Sequence, residues 1–202
     1  MTQMTSTSRM ILRAALALSL MASVGPSIAV TPADPSGTWV TDDRIARIRV
    51  ERCGVKLEQL CGYIVWMKQP VDANGQPIRD QHNPDPAKRS RPIVGQQMLM
   101  GLTRNSDSRF EGRVYNAETG KYYEISLWPG AADRLNIKGC MFSILCGTRT
   151  WTRTTDVLPG QLVGMTGDRN GPSADKEWAG AIQAKPPVAA KTTQLPGTAS
   201  AR

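Results

Sequence analysis

The sequence predicts an all-β fold, a small antiparallel meander barrel of about eight strands. Three observations carry this reading. Residues 35–155 hold nearly all the aromatic and β-branched side chains. Within them, apolar and polar residues alternate in short runs broken by turn signals, at the period of a half-buried strand. No stretch shows the spacing of an amphipathic helix. At roughly 120 residues, the region is the size of one compact domain.

The elements follow in order. Gly37 to Thr41 is the first strand. Ala46, Ile48 and Val50 then alternate with Arg47, Arg49 and Glu51. Leu60 to Lys68 is apolar on both faces. Met98, Met100 and Leu102 alternate with Gln97, Leu99 and Gly101. Phe110, Gly112 and Val114 alternate with Glu111 and Arg113. Asn116 to Gly120 is a turn into Lys121 to Trp128. Leu135 and Ile137 alternate with Arg134, Asn136 and Lys138, and the last strand runs from Thr148 to Thr154. Short connections favour antiparallel neighbours, and closing the meander removes exposed edges. The connection over residues 69–95 is too long for a hairpin and reads as a polar loop.

The ends differ in composition. Arg9 and Arg13 precede an apolar run from Ile11 to Val24 that is too short to span a bilayer. Gly25-Pro26 breaks it, and Ser27-Ile-Ala29 places small residues where a signal peptidase reads. Residues 1–29 are therefore expected to be a signal peptide cleaved after Ala29, which places the protein in a periplasm or outside the cell. No later segment is long and apolar enough to span. Residues 156–202 are rich in Gly, Pro, Ala, Ser, Thr and Lys, and read as a disordered tail beyond a barrel domain of residues 30–155. Its Trp178 reads as incidental or as a short docking mark.

The formal charge is +8, and loss of Arg9 and Arg13 with the signal leaves +6. Such a protein is drawn to anionic envelope material. Nucleic acid is not an expected partner in that compartment. The four cysteines, Cys53, Cys61, Cys140 and Cys146, are an even set in an oxidising compartment and read as disulfides. Three pairings are open. Cys53–Cys61 and Cys140–Cys146 are favoured because each brackets a strand-to-strand turn. The spacings are wider than zinc-type Cys-x-x-Cys pairs, and His82 is the sole histidine, so no metal or other cofactor is expected.

Two groups of residues are candidates for chemistry. The loop holds Asp80, Asn83, Asp85, Arg89 and Arg91. These form either a polar binding site, with arginines that grip carboxylate or phosphate, or a loop that braces itself. A hydrolase with Asp80 or Asp85 as base is a third, weaker reading, since Ser90 and His82 show no triad arrangement. The aromatic and methionine residues Tyr63, Trp66, Met98, Met100, Tyr123 and Trp128 either line a lumen or fill the core. Trp39 on the first strand and Trp151-Thr-Arg153 on the last become neighbours in a closed barrel, where a guanidinium stacked on an indole seals one end.

The motifs Gly37-Thr-Trp39, Cys53-Gly54, Leu60-Cys-Gly-Tyr-Ile-Val-Trp66, Pro70, Asp80 and Asn83-Pro-Asp-Pro86 continue with Arg91-Pro-Ile-Val-Gly95 and Gly112-Arg-Val-Tyr115. Gly120-Lys-Tyr-Tyr123, Leu135, Gly139 and Trp151-Thr-Arg153 complete the series. In this order the chain resembles the bacterial family known as domain of unknown function 2147. The resemblance implies a lipocalin-like, calycin-type barrel and implies no activity. The expectation is a non-enzymatic barrel that holds a small apolar or amphipathic ligand. The alternative is a protein that contacts anionic cell-wall or membrane components through its basic surface and the loop from Asp80 to Arg91.

Overall fold

The computed structural model describes residues 34–131, 133–141 and 145–176. The expected signal peptide and Trp178 lie outside these residues. Eight strands follow one another as β1 (Gly37–Val40), β2 (Ala46–Cys53), β3 (Gln59–Met67), β4 (Gln97–Arg104), β5 (Phe110–Asn116), β6 (Lys121–Pro129), β7 (Arg134–Met141) and β8 (Leu145–Thr154). Each pairs antiparallel with the next, and β8 returns to β1 to close the barrel. The disulfides are Cys53–Cys61 and Cys140–Cys146, the favoured pairing. Cys140 and Cys146 face each other across β7 and β8, whereas Cys53–Cys61 crosses β2 and β3 diagonally, with Cys53 opposite Gln59 and Cys61 opposite Glu51.

The seam is where the sequence places it. Trp39 faces Arg153 across β1 and β8, and the guanidinium lies 4.2 Å from the ring centroid. Arg153 also donates to the carbonyls of Ser36, at 2.7 Å, and Asp34, at 3.0 Å. Gly37 makes this approach workable. Its φ of 135° suits glycine, and a Cβ there would sit 2.3 Å from Arg153 Nη1. Trp39 is buried and donates its indole N–H to the Pro35 carbonyl at 2.9 Å. Trp151, Phe110, Leu127 and Leu135 pack with it into the main core cluster, and Arg52 caps Phe110 from 5.3 Å. This end of the barrel is plugged.

Irregular pairing redirects several side chains. Arg47 pairs with Trp66 while Ile48 pairs with Ile64, so β3 carries an extra residue, Val65, at a bulge. Ile64 packs against the main core cluster, whereas Val65 joins Cys61 and Tyr63 in a second cluster. On β4 the expected alternation of Met98, Met100 and Leu102 is interrupted by register shifts near Gly62 and by Gly101 at φ 58°. As a result Leu99 and Leu102 enter the main core cluster.

Composition predicts disorder from residue 156, but residues 156–176 form a strap on the outside of β2, β3 and β4. The strap is held by main-chain hydrogen bonds from Leu162 N–H to Val65 O, at 2.9 Å, and from Ser173 N–H to Gly95 O, at 2.8 Å. Arg47 grips the Asp156 carboxylate at 2.8 Å and the Gln161 side chain at 2.9 Å. Trp66 donates to the Pro159 carbonyl. Leu162 and Ala174 cover the second cluster. The strap needs few apolar residues of its own because the barrel wall supplies the other half of each contact. The rest of the expected tail, from residue 177, lies outside the described residues.

Two outcomes follow. Arg153→Ala removes the stacking and two charge-assisted hydrogen bonds. It is expected to lower unfolding free energy by about 2–4 kcal/mol in urea titrations, with Arg153→Lys recovering part of it. Burial, aided by the charge of Glu51, pushes the Tyr63 hydroxyl up to about 12. An unfolded tyrosine ionises near 10, so above that pH unfolding releases a proton that the native barrel retains. Stability then falls as pH rises from about 10 to 12. Tyr63→Phe is expected to flatten that fall, measured by urea midpoints across the same window.

Candidate functional site

The end of the barrel opposite the plug is open. There the β1–β2 turn, the long β3–β4 loop, the β5–β6 turn and the adjoining ends of β7 and β8 surround a cavity of about 770 Å³. Its wall is built from inward positions of the strands, with Ile48 from β2, Ile64 from β3, Met98 from β4, Val114 from β5, and Tyr123 and Ile125 from β6. The long loop adds Ile78 and Ile93, joined by a hydrogen bond from Ile93 N–H to Ile78 O at 2.9 Å. Ile45 and Leu145 carry the apolar lining out to the rim, where both are at least half exposed. Among the described residues charge enters only at the mouth, from Asp43, Glu118 and Arg149. A smaller recess of about 320 Å³ adjoins it, sharing Ile78, Ile93, Ala117 and Glu118 and adding Asp72, Arg79, Gln81 and His82. A cavity of this size with an apolar wall and a polar mouth has the form of a small-molecule site.

Of the six aromatic and methionine candidates, Met98 and Tyr123 line the cavity. Tyr63 faces outward beneath the strap, because residues 61, 63 and 65 form the outer face of β3. Trp66 is turned outward by the Val65 bulge, into stacking distance of Arg47. Trp128 alternates with the inward Leu127 and lies on the outer wall, with the Arg109 guanidinium 4.1 Å from its ring centroid. Met100 is buried but belongs to neither the cavity wall nor the two apolar clusters. The residues missed by sequence reasoning, Ile48, Ile64, Val114 and Ile125, had a legible signal. They are the plain inward positions of alternating strands.

The loop candidates form a different structure. Asp80 is fully buried and its carboxylate is saturated. It accepts from the Tyr115 hydroxyl at 2.6 Å, from Asn83 Nδ2 at 2.7 Å and from Arg91 at 3.3 Å. Arg91 also reaches Asp175 of the strap at 3.1 Å, and Lys88 meets the same carboxylate at 3.0 Å. The buried Gln97 completes the link by accepting from the Asp175 N–H at 3.0 Å. Asp85 accepts from the Ala87 N–H at 2.9 Å and so caps the short 3-10 helix Pro86–Lys88. Arg89 donates to the Asn83 carbonyl at 2.8 Å. Burial raises the Tyr115 hydroxyl, and the Asp80 carboxylate that accepts its proton raises it further. The network clamps loop, barrel wall and strap together. It leaves neither Asp80 nor Asp85 arranged as a base against a substrate, and it turns Arg91 inward onto two buried carboxylates, while Arg89 stays exposed and ties back to the loop's own backbone. Among the described residues no cluster of three or more metal-ligating side chains forms.

An eight-stranded antiparallel barrel, plugged at one end and open to an apolar cavity at the other, defines a lipocalin-like calyx. The chain belongs to the bacterial family described as uncharacterized protein conserved in bacteria (DUF2147), matched over residues 37–153. Among solved structures it is similar to protein HP1028 from Helicobacter pylori, described as belonging to the lipocalin family. Identity is 19%, covering 61% of this chain and 85% of that one, with a TM-score of 0.51. At that identity the likeness concerns the fold. Comparison with curated proteins gives no match. The strap lies beyond the family match.

The clamp yields an expected outcome. Asp80→Ala strands Arg91 and Tyr115 beside an empty acceptor position and is expected to cost about 3–5 kcal/mol. In a double-mutant cycle, Arg91→Ala added to Asp80→Ala is expected to cost much less than the sum of the single changes. Denaturant titration of the four proteins checks this.

Proposed function

We propose that the protein is a non-enzymatic carrier or sensor that holds one small apolar or amphipathic molecule in the open end of its barrel. The observation that carries this reading is the cavity of about 770 Å³ with an apolar wall and a polar rim. Cavities of roughly 300–1,000 Å³ bury most of a small ligand's surface. We place the protein outside the cytoplasm, in a periplasm or secreted. The two disulfides support this, since such bonds persist in oxidising compartments. The alternative of an envelope contact through the Asp80 to Arg91 loop is weaker. The guanidinium of Arg91 is committed to Asp80 and Asp175, and Arg89 is engaged with the loop's own backbone.

The test is occupancy. Organic extraction of protein purified without detergent, followed by mass spectrometry, is expected to return a bound apolar or amphipathic molecule. Val114→Trp fills the lumen from β5. It is expected to leave far-ultraviolet circular dichroism unchanged and to weaken binding of a neutral fluorescent naphthylamine probe by at least tenfold, about 1.4 kcal/mol. A clean extract together with no probe binding would remove the proposal.

A further inference from the structure

Resting on the cavity as a ligand site, we infer that its ligand is an amphiphile with a positively charged, ammonium-type head, held at the mouth by Glu118 and Tyr123. Among the described residues, three charged side chains line the mouth: Asp43, Glu118 and Arg149. Two of them already have partners. The Asp43 carboxylate braces the β1–β2 turn, accepting from the Thr41 hydroxyl at 2.6 Å and the Ile45 N–H at 3.1 Å. Arg149 has its counter-ion in Asp42 at 3.1 Å. The Glu118 carboxylate makes no hydrogen bond or ion pair among the described residues, and it borders both the main cavity and the adjoining recess.

The recess repeats the pattern. Asp72 accepts from the N–H groups of Asn74 and Gln76, both at 2.9 Å, and Arg79 donates to the Ser90 carbonyl. Glu118 is thus the acid left without a partner at the junction of the two spaces.

Its hairpin also supplies the aromatic surface. Tyr123, opposite Val114 in the β5–β6 ladder, lines the cavity, and its hydroxyl lies 3.4 Å from that of Thr119, the neighbour of Glu118. A carboxylate beside an aromatic face favours an ammonium, which gains both charge pairing and cation–π attraction. A carboxylate head would instead meet the like charge of Glu118 and compete with Asp42 for Arg149. The apolar chain of the same molecule lies along Met98, Val114 and Ile125.

The experiment displaces the naphthylamine probe from the full chain at about pH 8, using dodecyltrimethylammonium and dodecanoate below micelle formation. The ammonium is expected to displace the probe at about tenfold lower concentration than the carboxylate. Glu118→Gln is expected to bring the two close to equal, each measured relative to that variant's own probe affinity, and Arg149→Gln is expected to preserve the preference. Dodecanoate displacing as well as or better than the ammonium, or a preference untouched in Glu118→Gln, would overturn this inference and leave the cavity reading standing. Absence of probe binding would overturn both.

Discussion

The guanidinium of Arg153, stacked on Trp39 and tied to the carbonyls of Ser36 and Asp34, holds β8 against β1. A sheet of eight strands has two edges, and each edge is a row of unpaired backbone donors and acceptors. Closing the seam pairs both rows with one another. It also fixes which end of the barrel is filled. Trp39, Trp151 and Phe110 gather beneath the stacked arginine, so the bulky side chains occupy one end. The other end is lined by Ile, Val and Met residues that leave a space. Plug and cavity are therefore two consequences of one closure.

The long β3–β4 loop would be a poor wall by itself, being rich in proline and ionisable groups. Asp80 makes it rigid. A carboxylate buried without partners would be unstable by several kcal/mol, and three donors from a tyrosine, an asparagine and an arginine offset that cost. The same arginine reaches Asp175, which ties in the strap. Charge that reads in one dimension as a recognition surface is, in three dimensions, an internal clamp. With the loop fixed, Ile78 and Ile93 become part of the cavity wall.

The division of charge at the mouth follows from the same economy of partners. Asp43 and Arg149 serve turn and ion pair, while Glu118 rides on a tight hairpin with no such duty. In the proposed reading, the apolar interior takes the chain of a ligand and the rim takes its head.

Much of this was legible in the chain. Strand number, antiparallel order and the Trp39–Arg153 seam follow from alternation, turn residues and closure, while spacing favoured, among three open pairings, the disulfide pairs that form. The cavity wall was half legible. Met98 and Tyr123 were found, whereas Tyr63, Trp66 and Trp128 belong to the outer surface. A bulge shifts the face of every residue beyond it, and no pattern in β3 announces the extra residue at Val65. The strap over residues 156–176 was hidden for a related reason. Its composition is that of a loose tail, and its order comes from partners on β2, β3 and the long loop, far away in sequence. The sequence by itself determined the sheet and its closure, because those depend on period and chirality. Tertiary structure alone decided which large side chains face the lumen, where the loop's charges point and how much of the tail is held, because each depends on register and on distant partners.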